Sequence, residues 1–278
     1  MRRKRDKQSV VWMLALIFYL SGSLLGQFTP KEIAQRENWE DFLKTAKIIG
    51  SYQLSPQQGI TQPWVLTLQK DGIVRKALWK PIEGLHKGFV ENWRWEIAAY
   101  NLDKHLGLNM IPPTVERRFW GARGSLQLWV DSMMSLREKN AMNYDIPREK
   151  ILDWNRTMCL QRAFDNLIAN EDRHQGNFLI TSDWRIILID HSRSFRTSYP
   201  FTEELIFTET HKDGNMMMRQ LPSAFVDRIK LLDFDSIKSV ARNYLTHKEI
   251  KSVLMRRDLM LDEIDRIIGV FGLEDVLY

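Results

Sequence analysis

The stretch RAFDNLIANEDRHQGNFLITSDWRIILIDHSRSF, residues 162–195, governs the reading of the rest of the chain. An apolar, helix-like segment leads into a polar loop holding Asp172, Arg173, His174, Gly176 and Asn177. A short strand-like run, 185–189, then delivers Asp190. Asp172 and Asn177 taken alone are ordinary turn residues. A second carboxylate at the end of the next strand changes that reading, because three oxygen-bearing side chains placed this way suit a hydroxyl and a hard divalent cation.

Composition sets the outer limits. At 278 residues and 44% hydrophobic content, the chain fits one mid-sized domain or two closely packed lobes with a real core. The formal charge of +5 is concentrated at the start, where Arg2, Arg3, Lys4, Arg5 and Lys7 against Asp6 leave +4, and +1 for the remainder. The body is therefore nearly neutral, and no nucleic acid partner is expected. The single cysteine, Cys159, falls in an apolar-periodic run and reads as core. The six histidines are scattered, with no zinc spacing, so any metal should be held by oxygen.

Following the basic start, residues 10–26 form an uncharged, mostly apolar run of 17 residues. It reads as an export leader or a membrane anchor, with cleavage and retention both open, and in either case the body is expected on the extracytoplasmic side. Segment 1–30 is set apart on this ground. Residues 39–45 read as a short helix, 46–50 and 63–68 as strands, and Asp71-Gly72 as the turn into a third strand, 73–79, with Lys80 at its end. Residues 51–59 resemble a phosphate-covering loop only in position, since they lack G-x-G-x-x-G. Residues 81–88 read as a loop and 91–106 as a helix capped by Gly107, with Glu96 inside it. Two more strands, 115–118 and 125–130, flank a turn at 121–124 and complete a five-stranded small lobe, 31–130. Residues 132–140 read as a polar hinge. The large lobe, 131–278, is expected to be mostly helical, with helices at 147–170, 222–232, 234–245, 246–254 and 258–271.

Phosphoryl transfer asks a protein chiefly for positioning and charge neutralisation. Asp172 is placed to orient an attacking hydroxyl and take its proton, while Asn177 and Asp190 are the candidates to hold Mg²⁺ or Mn²⁺ against the phosphates of ATP. Lys80 followed by Glu96 is the order in which a kinase aims a third-strand lysine at the nucleotide. Lys76 competes with Lys80, because alternation puts both on one strand face. Arg173, His174 and His191 are left without assigned roles.

Asp172-Arg173-His174-Gln175-Gly176-Asn177, with Asp190-His191-Ser192 downstream, resembles the D-R-H-x-x-N loop and metal-binding motif of phosphatidylinositol 3/4-kinases. The segments Ala77-Leu78-Trp79-Lys80-Pro81, Glu96-Ile97-Ala98-Ala99-Tyr100 and Ile111-Pro112-Pro113-Thr114 are similar to the atypical secretory-pathway kinases of the Golgi casein kinase type. Helices around Arg256-Arg257-Asp258 are similar to bacterial lipid-kinase and HipA-like relatives. The resemblance implies an α+β, two-lobed protein-kinase-like fold with a small antiparallel β-sheet lobe and a mostly helical catalytic lobe. It also implies a metal-dependent atypical kinase in which Lys80 and Glu96 bind the nucleotide, Asp172 is catalytic, and Asn177 and Asp190 take the metal. Protein Ser/Thr is the first acceptor expected, with a lipid or sugar hydroxyl as alternative and a nucleotide-binding pseudokinase as the non-enzymatic one. The membrane is expected as a partner only through the N-terminal apolar segment.

Overall fold

A computed structural model describes residues 27–55, 61–208 and 219–278 of the chain. Two short helices, α1 (Pro30–Ala34) and α2 (Arg36–Thr45), lead into strands β1 (Lys47–Gln53), β2 (Trp64–Lys70) and β3 (Ile73–Lys80). A hairpin of β4 (Glu83–His86) and β5 (Phe89–Asn92) precedes helix α3 (Trp93–Leu106), and β6 (Thr114–Phe119) and β7 (Ala122–Leu128) follow. β8 (Met134–Ser135) and α4 (Leu136–Ala141) open the second half, then come α5 (Ile151–Ile168), β9 (Phe178–Ile180), β10 (Ile186–Leu188) and α6 (Pro200–Glu203). α7 (Ser223–Lys230), α8 (Phe234–Ala241), α9 (His247–Phe271) and α10 (Leu273–Val276) close the chain.

Five strands form one antiparallel sheet in the order β1-β2-β3-β7-β6, and β10-β9-β8 form a small sheet beside the helices. Asp71 and Gly72 both take the left-handed conformation, with φ of 49° and 76°, which gives the tight turn that lets β2 and β3 pair residue for residue from Lys70↔Ile73 to Trp64↔Trp79. Pairing β3 with β7 then brings Lys80 opposite Ser125. The result is the two-lobed α+β arrangement the sequence implies.

Several boundaries differ. The turn between β6 and β7 lies at Trp120-Gly121, so Ala122, Arg123 and Gly124 belong to β7 and not to the turn. Within residues 81–88, read as a loop, Glu83–His86 pair instead with Phe89–Asn92 as the β4–β5 hairpin, and α3 starts at Trp93 after Asn92, whose side chain caps Arg94 N at 2.9 Å. The polar stretch 132–140 is not a plain hinge but contributes β8 and α4. The two closing helices expected at 246–254 and 258–271 are one helix of 25 residues, α9. No helix among the described residues is long and apolar enough to cross a membrane, and the apolar run 10–26 lies outside them.

The buried apolar residues fall into two clusters. Phe42, Leu43, Leu66, Leu68, Trp79, Val115 and Leu126 fill the space between α2 and the five-stranded sheet. Trp95, Leu102 and Leu106 of α3 instead join Leu160, Phe164 and Leu167 of α5 and the closing helices, Phe225, Val253 and Met260 among them. Fully burying such a side chain contributes about 1.5–3 kcal/mol, whereas a buried ion pair is often close to neutral against a well-packed apolar alternative. Packing on the helical lobe therefore places α3. The glutamate it carries arrives at the cleft as a consequence.

Where α3 ends, Asp103 is fully buried and its Oδ1 accepts from the Met110 backbone N–H at 2.8 Å, fastening the return of the chain, while Oδ2 has no hydrogen-bond partner. Burial raises this carboxyl to about 7, against the opposing pull of the Met110 amide and Arg36. The neutral form is favoured in the folded state, so its contribution is complete below the unfolded carboxyl range near ~4 and declines as pH rises toward about 7. Wild type should therefore lose stability relative to Asp103→Asn across that window, as read from urea midpoints at a series of pH values. A second prediction concerns Gly124, where a Cβ would stand 2.5 Å from the Lys80 carbonyl oxygen and 2.8 Å from the Trp79 indole nitrogen. Gly124→Ala should cost about 1–3 kcal/mol in denaturant unfolding, because backbone and a packed indole cannot both yield.

Candidate functional site

The cleft between the sheet and the helical lobe has a volume of about 380 Å³ and is lined from both sides. Lys80, at the end of β3, is buried and its Nζ stands 2.7 Å from Glu96 Oε1 and 2.8 Å from Asp190 Oδ1. Burial opposes the charge, but the Asp190 and Glu96 carboxylates overcome it and hold the ammonium above the usual lysine range. Glu96 is likewise opposed by burial and pulled well below the usual carboxylate range by Lys80 and by contacts to His191. Its second oxygen accepts from the His191 backbone N–H at 2.9 Å. Lys76 is exposed, with its Nζ 6.0 Å from the Tyr52 ring centroid, and takes no part. The strand alternation that made the two lysines equivalent is broken by position, since Lys80 lies at the end beside α3 and Lys76 at the open middle of the strand.

Asp172, Asn177 and Asp190 come together on the other wall of the cleft. Asn177 is buried in a 3₁₀ turn, and its Nδ2 donates to the Asp172 carbonyl at 3.0 Å, which leaves the amide oxygen as its free acceptor. Partial burial, and with it the neighbouring Asp190 and Glu91 charges, raises the Asp172 carboxyl above the usual range, while Arg193 and His174 pull the other way. Asp190 is in the left-handed region with φ of 59°, a conformation that Asp tolerates better than most residues. Oxygen donors alone suit Mg²⁺ or Mn²⁺. Among the described residues no three His, Cys, Asp or Glu side chains gather into a metal cluster, so the fit is to a cation held by one carboxylate, an amide oxygen and the oxygens of a phosphate ligand.

The residues without assigned roles now have places. The Arg173 side chain is withdrawn from solvent and is structural: Nε and Nη2 meet Asp165 of α5 at 2.9 and 3.0 Å, and Nη1 donates to the Ile189 carbonyl at 2.7 Å and the Asn177 carbonyl at 3.2 Å. His174 accepts from the Gly176 N–H at 3.0 Å through Nδ1 and so shapes its own loop. His191 is fully buried, 2.8 Å from Arg173 Nη2, and burial with the Arg173 charge pushes its pKa down, leaving the ring neutral at pH 7.

Three residues of the site went unread in the sequence. Asp165 anchors Arg173 and also accepts from Asn170 Nδ2 at 3.1 Å, and its only signal was a carboxylate among the buried positions of an apolar helix. Glu91 is 2% exposed and faces the cleft from β5, where it meets the Ser192 hydroxyl at 3.1 Å. Arg193 bridges Glu91 and Asp172, at 2.9 and 3.3 Å. No local pattern marks either, because the hairpin that presents Glu91 is outside the main sheet.

An antiparallel five-stranded sheet carrying a lysine, a mostly helical partner carrying a D-R-H loop and a cleft between them define a two-lobed, kinase-like fold. Among solved structures the chain is similar to one titled "Crystal structure of the golgi casein kinase", with a TM-score of 0.59 and 16% identity over 87% of this chain and 79% of that chain. The likeness at this identity is one of fold. Comparisons with known protein families and with curated protein sequences find no match for this chain.

Replacing Arg173 by Met would leave Asp165 buried without its main countercharge. The variant should lose about 3–5 kcal/mol in urea unfolding, and Arg173→Met with Asp165→Leu should recover part of that loss. Equal stability of the single variant and the wild type would show that the pair holds nothing together.

Proposed function

We propose that the chain is a metal-dependent kinase that transfers the ATP γ-phosphate to a hydroxyl acceptor. The observation that carries this reading is the Lys80 ammonium held between Glu96 and Asp190, in one cleft with Asp172 and Asn177. Leu54, Leu78, Leu179 and Ile189 provide apolar walls suited to a purine ring, with Lys80 next to where its phosphates would lie. Lys80, kept charged by its two carboxylates, would bind nucleotide phosphates with Glu96 fixing its direction. Asp172, its carboxyl raised by partial burial, would accept the proton of the attacking hydroxyl. Asn177 and Asp190 would hold a divalent ion, which supplies charge neutralisation of the phosphates when bound.

Protein Ser/Thr is the acceptor to test first, and the name of the structural neighbour, a casein kinase, supports casein as the probe. The lobes are taken as 31–130 and 131–278, and the apolar run 10–26 as a leader or anchor that places the body on the extracytoplasmic side of a membrane. Radiolabelled transfer from ATP to dephosphorylated casein and to the protein itself, with Mg²⁺ or Mn²⁺, should fall about 10²–10⁴-fold in Asp172→Ala with nucleotide binding retained. Asp190→Ala should lose both turnover and metal-dependent nucleotide binding. Full activity in Asp190→Ala sinks the metal-ligand assignment, and nucleotide binding without any transfer makes the chain a pseudokinase.

A further inference from the structure

Arg193 belongs to no motif read from the sequence, yet its guanidinium meets three groups at once. Nε and Nη2 both donate to Glu91 Oε1, at 3.1 and 2.9 Å, and Nη1 stands 3.3 Å from Asp172 Oδ2. The guanidinium carbon lies 4.1 Å from the centroid of the Phe89 ring, and the side chain is 12% exposed. Phe89 and Glu91 share one face of the β4–β5 hairpin by strand alternation. Backbone pairing ties that hairpin to the segment after Asp190, since Asn92 N–H donates to the Ser192 carbonyl at 2.9 Å. The Ser192 hydroxyl completes the frame at 3.1 Å from both Glu91 Oε2 and Asp190 Oδ1.

Most exposed Arg–carboxylate pairs contribute little, because two long side chains must be ordered in water. Here the order is already provided, by the ring on one side of the guanidinium and the buried Glu91 carboxylate at its edge. The two Glu91 contacts are shorter than the Asp172 contact. Glu91 and Phe89 thus hold the arginine, and the arginine in turn holds Asp172. The Asp172 backbone is fixed from elsewhere, by Asn170 Oδ1 at its N–H and Asn177 Nδ2 at its carbonyl. What Arg193 adds is the direction of the side chain.

We propose that Arg193, clamped by Phe89 and Glu91 of the β4–β5 hairpin, is a positioning residue that sets the Asp172 carboxylate toward the incoming acceptor. This rests on the phosphotransfer reading. In that reading nucleotide binding rests on Lys80, Glu96, the apolar walls and a cation on Asn177 and Asp190, whereas the partners of Arg193 are Glu91, Asp172 and Phe89. Its removal should leave that binding intact and damage only the step in which Asp172 meets the hydroxyl.

The test uses the full chain, a fluorescent ATP analogue to read nucleotide affinity with Mg²⁺ or Mn²⁺, and ATP consumption with water as the acceptor. Arg193→Met should lower kcat about 10–100-fold while the nucleotide Kd stays within about threefold, the split expected when a reacting group is misplaced by an ångström or so. Arg193→Lys, which keeps the charge without the fork, should recover part of kcat, and Phe89→Ala should lower kcat less than Arg193→Met, again without moving Kd. A kcat within twofold of wild type in Arg193→Met overturns the proposal, as does a loss matched by an equal loss of nucleotide affinity. A rise in kcat also overturns it, since Arg193 would then block the acceptor. A wild-type protein that transfers phosphate from ATP neither to water nor to dephosphorylated casein nor to itself overturns the phosphotransfer reading, and the proposal with it.

Discussion

The ammonium of Lys80 is the point at which the two halves of the molecule meet electrostatically. One of its carboxylates rides on α3, which packs with the helical lobe, and the other stands at the end of β10. The Lys80–Glu96 pair is withdrawn from water, where a lone charge would be costly, whereas the Asp190 carboxylate opens to the cleft with 36% of its side chain exposed. Together they link the end of β3 to α3 and to the segment that follows the D-R-H loop. Lys80 Nζ and the Ser192 hydroxyl both meet Asp190 Oδ1, contacts that help offset a left-handed backbone cost of about 1–2 kcal/mol.

Behind that contact the helical lobe supplies a second layer of buried charge. Asp165 and Arg173 join α5 to the carbonyls of Asn177 and Ile189, so the residues facing the cleft are gripped through their backbone. Arg256 of α9 works in a similar way without a carboxylate. Its Nε donates to the Leu167 carbonyl at 2.9 Å and Nη1 to the Arg196 carbonyl at 2.8 Å, joining the end of α5 to the segment after Asp190. Burial lowers its pKa to about 9. A long helix uninterrupted from His247 to Phe271 is what carries this arginine into the lobe.

The other wall is organised by a hairpin of two four-residue strands. It is small, yet it contributes the buried Glu91 and the ring on which Arg193 lies. The carboxylates Glu91, Asp172 and Asp190 thus converge on one cleft with Lys80, Arg137 and Arg193, and Glu96 stands behind Lys80.

The sequence alone determined what depends on local spacing. The loop from Asp172 to Asn177, the strand that delivers Asp190, the Asp71-Gly72 turn and the order Lys80 then Glu96 are all written in short range, where turn preference, alternation and helical period act. From these, and from the resemblance their motifs carry, the two-lobed fold could be read, and of the five expected site residues Lys80, Asp172, Asn177 and Asp190 line one cleft with Glu96 paired to Lys80 behind it. Tertiary structure decided what depends on long-range company. Whether Lys76 or Lys80 turns inward depends on which end of β3 faces α3, and Arg173 becomes structural only because Asp165 lies buried beside it. The β4–β5 hairpin escaped notice because His86 and Glu91 break the apolar alternation of an already short segment, and Glu91 acquires its partner 102 residues away. A charged residue looks the same in sequence whether solvated or buried, and only the packing around it tells the two apart.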